Sequence, residues 1–177
     1  KIRICIEPKP NEPMDHAYVP TTGHFLSLAY KTVDPDRVGT LIESAHAILA
    51  GLDPAIEMAF AIYHDKLWSV HLNDQNGLKF DEDRVFGAIN LKRAFDQVLV
   101  LYENDFGANG EFVGLDIKAI RTQKAGEATR HLANSKEIFL LLLDVVKSLD
   151  TRKLEEYRSS RNYEDLELFI IKTIMGK

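Results

Sequence analysis

A chain of 177 residues can build one substantial core and is short for two domains. Its composition, 45% hydrophobic and 28% charged with a net charge of −5, is that of a soluble globular protein and argues against a nucleic-acid binder, which would carry a basic patch. The one cysteine, Cys5, excludes an internal disulfide, and the most apolar run, "IFLLLLDVV" at 138–146, is too short and too interrupted to span a bilayer, so a reducing, cytoplasmic setting is expected.

The sequence begins at Lys1 without an initiator methionine and enters "KIRICIE" directly, as a piece of something longer would. This β-branched, apolar run predicts a buried parallel strand with Cys5 as a small core residue. A proline-rich loop follows to about Thr22, then a helix over "GHFLSLAYKTV". "DPDRVG" predicts a turn and "TLIE" a short strand. "SAHAILAGLDPAIEMAFAIYHD" has helical periodicity broken at Gly51–Pro54, hence two helices. "KLWSVHLND" predicts a strand, 75–87 a polar loop, and "INLKRAFDQVLVLYEND" an amphipathic helix. "EFVGLDIKA" is a fourth strand and 127–149 a fourth helix.

Alternating β and α segments imply a parallel sheet with crossover helices. Four βα units fill residues 1–149, whereas a complete (β/α)8 barrel needs roughly 250 residues. The expected fold is therefore α/β, half of such a barrel. Residues 150–177, charged and then amphipathic ("LELFIIKTIM"), read as a C-terminal helical arm that packs elsewhere and joins subunits.

In parallel α/β barrels, chemistry gathers at the C-terminal ends of the strands. Those ends carry Glu7, Glu43, His71 and Asp116, one potential metal ligand per strand. Glu43 and His46, three apart in "ESAH", share a face on a first helical turn. Asp81 and Asp83 in "KFDED" point the same way in an extended loop, with Glu82 opposite. Taken singly, each is as well explained by a solvated or core residue. Together these carboxylates and imidazoles are too anionic to converge without cations. Their oxygen-rich mixture suits two ions of the Mg²⁺, Mn²⁺ or Co²⁺ kind. "IEPKPNEP" raises a related point, since its prolines hold Glu7 and Lys9 in stiff, non-helical backbone.

Over residues 3–148 the sequence resembles the xylose isomerase family, in the C-terminal half of its barrel. The motifs that carry the likeness are "IEPKPNEP", "PTTGHFLSL", "ESAHAILAGL", "HLNDQNGLKFDEDRVFG" and "LDIKAIRT". The resemblance implies a metal-dependent aldose–ketose isomerase that moves a hydride between C1 and C2 of an open-chain sugar. It implies Glu7 and Asp116 as ligands of the first ion, Glu43 as a bridge, and His46, Asp81 and Asp83 as ligands of the second. Lys9 would hydrogen-bond the substrate's carbonyl end. It further implies a homo-oligomer, tetramer or dimer, and a pocket completed by the N-terminal half of the barrel, where the family keeps its ring-opening histidine–aspartate pair.

One position departs from the pattern. His71 stands where xylose isomerases carry an aspartate ten residues before the D-x-D loop. L-rhamnose isomerases use a histidine at their comparable position. This ligand predicts Mn²⁺ or Co²⁺ as the preferred ions, with Mg²⁺ or Zn²⁺ also admissible. The alternatives are a one-metal sugar epimerase or zinc endonuclease of the same barrel superfamily, and a non-catalytic half-barrel.

Overall fold

The computed structural model describes residues 2–177; Lys1, where the sequence places the start of the first strand, lies outside the described residues. Four strands, β1 (Ile4–Ile6), β2 (Val38–Glu43), β3 (Leu67–His71) and β4 (Phe112–Gly114), form one parallel sheet in sequence order. Each is followed by helix: α1 (Thr22–Ala29) after β1, α2 (Ser44–Leu49) and α3 (Pro54–Tyr63) after β2, α4 (Leu91–Glu103) after β3 and α5 (Arg130–Lys147) after β4. This is the expected α/β half-barrel, with β1 and β4 left as the edges of an open sheet.

The local chemistry explains most boundaries. Gly51, at φ 74°, ends the α2 segment, and Asp53 caps α3 by accepting from the N–H groups of Ala55 and Ile56, with Pro54 in the first turn. Asn90 caps α4 by accepting from Arg93 N–H. Two elements differ from their expected lengths. A 3₁₀ turn uses only Pro35–Arg37 of "DPDRVG", so β2 begins at Val38. The helix expected over 23–33 ends at Ala29, and Lys31 and Thr32 close it with turn bonds to the carbonyls of Leu28 and Ala29.

Period-two alternation gives the sheet two unlike faces. On the outer face Ile42, Val70 and Leu72 join Met58, Phe95, Val98, Leu142 and Val146 in the main core. The inner face carries Cys5, Leu41, Ser69 and Phe112, which line an open cleft of about 770 Å³ with Arg3 and Trp68. Cys5 is therefore exposed, against the expectation of a core residue. Its strand is an edge, and its side chain faces the concave side that the helices do not cover. The cleft lies toward the N-terminal strand ends, and Asp65, Asn104, Asn109 and Glu111 stand among its lining residues. It is the inner face of a parallel sheet that is open at β1 and β4.

Beyond the fourth unit come α6 (Thr151–Ser160) and α7 (Tyr163–Ile174). The apolar stripe of α7 (Leu166, Phe169, Ile170 and Ile174) packs on the chain's own core together with residues of α4 and α5. Leu168, Ile171 and Met175 form a second, exposed stripe.

One close approach on the inner face is diagnostic. A Cβ on Gly39 would collide with the indole ring of Trp68, which crosses β2 at that point. In the complete protein, Gly39→Ala is expected to lose about 1–3 kcal/mol of stability in urea unfolding. The loss should shrink in a Trp68→Val background. Equal costs in both backgrounds would contradict this packing.

Candidate metal centre

The strand ends bring the expected residues to one place. Glu43 is both the last residue of β2 and the N-cap of α2, so strand passes into helix without a loop and His46 stands over it. In register, Glu43 pairs with His71 and His71 with Gly114, and Asp116 lies two residues further on the same face. Gly114 leaves room for the imidazole, since a Cβ there would come within 2.9 Å of His71 Cδ2.

Three groups of potential ligand atoms result, each within 4.8 Å: Glu7, Glu43 and His46; Glu43, His71 and Asp116; Glu43, Asp81 and Asp83. Glu43 belongs to all three and is 2% exposed. His46 Nε2 lies 3.2 Å from Glu43 Oε1 and 3.3 Å from Asp81 Oδ2, and its Nδ1 lies 3.1 Å from Glu7 Oε1. His71 Nδ1 is 3.6 Å from Glu43 Oε2 and 4.0 Å from Asp116 Oδ2. Glu7 thus falls with His46 rather than beside His71 and Asp116.

The D-x-D loop is held from both sides. Asp74 and Arg84 exchange backbone hydrogen bonds of 2.9 Å, closing its base. Gln75 donates to the carbonyls of Gly77 and Phe80 and accepts from Glu82 N–H. Glu12, from the proline-rich segment, accepts from Asp81 N–H, and Lys118 N–H donates to the Asp83 carbonyl. What the sequence presents as a polar loop is a bonded structure that turns Asp81 and Asp83 onto Glu43. Asp83 takes a left-handed φ of 44° to do so, rather than the extended backbone expected.

Two lysines supply positive charge. Lys9 Nζ lies 2.6 Å from Asp81 Oδ2, and Lys118 Nζ 2.5 Å from Asp83 Oδ2. The pKa values follow from the crowding of anions. Burial pushes Glu43 up to about 7. Burial opposes a charge on His46, but Asp81, Glu7 and Glu43 outweigh it and raise the imidazole to about 9. His71 is raised, chiefly by Glu43. Burial would lift Asp81, but His46 and Lys9 hold it well below the usual carboxylate range.

The donor set fits divalent cations. Glu43 Oε2, His71 Nδ1 and Asp81 Oδ1 are buried and make no hydrogen bond, and all three residues belong to the ligand groups. A buried polar atom left without a partner costs about 1–3 kcal/mol. Oxygen ligands with imidazole suit Mg²⁺, Mn²⁺, Co²⁺ and Zn²⁺.

Sequence reasoning missed Lys118 and Asn73. Lys118 follows Asp116 by two residues, a spacing that puts both on one side of an extended segment. Asn73 gave no such signal beyond its place just past a strand end. Its Nδ2 donates to Glu43 Oε1, Asp83 Oδ1 and the Asp116 carbonyl.

Among curated proteins, the chain is 34% identical over 143 residues to a xylose isomerase of Streptomyces lividans, covering 81% of this chain and 35% of that protein. It is 38% identical over 121 residues to a xylose isomerase of Thermus thermophilus, covering 68% of this chain and 30% of that one. The chain spans about a third of the length of these relatives. No protein-family profile matches it. Among the described residues no helix is long and apolar enough to cross a membrane.

The raised pKa values have a measurable consequence. His46 carries a proton below about pH 9 and Glu43 below about pH 7, and a metal ion needs both without it. Mn²⁺ titrated into the complete protein at neutral pH should therefore release protons, seen as a binding heat that varies with the buffer's ionisation enthalpy. Affinity should rise with pH and level off above about 9. A heat independent of the buffer would contradict this.

Proposed function

We propose, from the premise that this chain belongs to a xylose isomerase-like family, that it carries the metal-binding wall of a sugar isomerase acting on an open-chain aldose. The observation that carries the proposal is the sharing of Glu43 by all three ligand groups, as a carboxylate bridging two divalent ions would require. Glu43, His71 and Asp116 would hold one ion. Glu43, His46, Asp81 and Asp83 would hold the second. The resemblance assigns Glu7 to the first ion, whereas the geometry groups it with Glu43 and His46. Bound there, the ions would supply Lewis acidity to neighbouring sugar oxygens and a template for the substrate.

Lys9 has a distinct task. It sits on backbone stiffened by Pro8 and Pro10, and its ammonium is partly exposed beside Asp81. It can donate to the oxygen at the carbonyl end of the sugar and steady charge there while hydride passes between C1 and C2. A one-metal epimerase has no use for Asp81 and Asp83 turned onto Glu43, so the loop favours the isomerase. The remaining pocket wall would come from the rest of the barrel. Residues 1–149 would form the metal-bearing half. The exposed stripe of α7, in the arm at 150–177, would serve a homo-oligomer, tetramer or dimer.

His71 bears on the choice of metal. A neutral imidazole in place of a carboxylate lowers the negative charge around the first ion and offers a borderline nitrogen. Mn²⁺ and Co²⁺ accept that more readily than Mg²⁺ does. This histidine resembles the one that L-rhamnose isomerases use at their comparable position, so rhamnose belongs in the assay beside xylose.

The test is an aldose screen of the complete protein with Mn²⁺, Co²⁺ and Mg²⁺. At least one aldose should yield its ketose, the activity should vanish on chelation, and Mn²⁺ should restore it. Glu43→Gln should lower the rate by about 100-fold and weaken both ions together. Unchanged metal affinity in that variant would refute the bridge. His71→Asp should move the order of metal preference toward Mg²⁺, and an unaltered order would refute its role as a ligand.

A further inference from the structure

Glu43 and Asp83 are buried acids whose two oxygens face different surroundings, and one neutral side chain decides which oxygen faces which. Asn73 lies two residues beyond β3 and is 1% exposed. Its Oδ1 accepts from the backbone N–H of Ala45 at 2.7 Å. Its Nδ2 donates to Glu43 Oε1 at 2.9 Å, to the Asp116 carbonyl at 2.9 Å and to Asp83 Oδ1 at 3.1 Å. The amide has only one workable orientation. Turned over, it would set an oxygen against three oxygens and an NH₂ against an N–H.

We infer that Asn73 is a positioning residue of the metal centre, its amide fixing which oxygen of Glu43 and which of Asp83 is turned toward the ions. With Oε1 engaged, Glu43 Oε2 is left without a hydrogen bond, 3.6 Å from His71. With Oδ1 engaged, Asp83 presents Oδ2, the atom that Lys118 now contacts. The same amide ties four segments together: the end of β2, the first turn of α2, the D-x-D loop and the residues after β4. An amide suits this task where a charged group does not. A lysine would compete with the cations, and another carboxylate would add repulsion to a cluster already crowded with acids. Asn73 supplies donor hydrogens to both acids without changing the charge.

The inference rests on reading the cluster as a metal centre, and one experiment separates the two. In the complete protein, Asn73→Leu keeps the branching at Cγ and removes every side-chain donor, while Asn73→Ser is a milder change. Asn90→Ala, which removes the cap of α4 far from the acids in role, serves as the control for lost stability. Two signals are read: the visible absorption of bound Co²⁺, which reports coordination geometry, and Mn²⁺ affinity by calorimetry. Asn73→Leu should weaken Mn²⁺ by about 10–100-fold and alter the Co²⁺ bands. Asn73→Ser should do the same to a smaller extent, and it decides the matter if the leucine variant does not fold. Asn90→Ala should lower the melting temperature and leave both signals unchanged. A parent protein that binds neither ion would overturn the metal centre and this inference together. A parent that binds them, with Asn73 variants matching its Co²⁺ spectrum and its Mn²⁺ affinity to within about twofold, would overturn the inference alone.

Discussion

Repulsion among carboxylates is the constraint from which the rest of this structure follows. Glu7, Glu43, Asp81, Asp83 and Asp116 are drawn into overlapping groups at one end of the sheet. Two charges of like sign 4 Å apart repel by about 4 kcal/mol at the effective dielectric of a protein surface. A fold that gathers acids in this way must bring positive charge to them. Here it comes from Lys9, Lys118 and the raised imidazoles of His46 and His71. Glu43, the most central acid, answers the same pressure by holding its proton to about pH 7.

The backbone places these groups economically. Parallel strands in register end at nearly the same height, so the last inward residue of each falls beside its neighbour's. Glu43, His71 and Asp116 meet for that reason. The passage from β2 into α2 adds His46 with no intervening loop. Only Asp81 and Asp83 come from a long connection, and that connection is braced by buried Asp74 and Gln75. The acids therefore stand on hydrogen-bonded backbone, and the outer face, packed on helices, supports the sheet that carries them.

Much of this was legible in the sequence, for physical reasons. Strand ends can be located from apolar runs, and a charged residue at each end is hard to explain by packing. The Gly51–Pro54 break, the α4 periodicity and the alternation of units were visible in the same way. Other features depend on the third dimension. Cys5 reads as core from its apolar neighbours, but its strand lies on an open edge. The Leu166–Ile174 stripe reads as a surface for another subunit, yet α4 and α5 receive it. Asn73 announces nothing by charge or periodicity, and its importance lies in partners far away in sequence.

The central claim is that Glu43 stands between two ions, and crystals of the complete protein grown with Mn²⁺ test it most directly. The account predicts two peaks in the anomalous difference map, both within coordination distance of the Glu43 carboxylate, one on the side of His71 and Asp116 and the other on the side of His46, Asp81 and Asp83. A single peak, or two peaks of which neither touches Glu43, would contradict it.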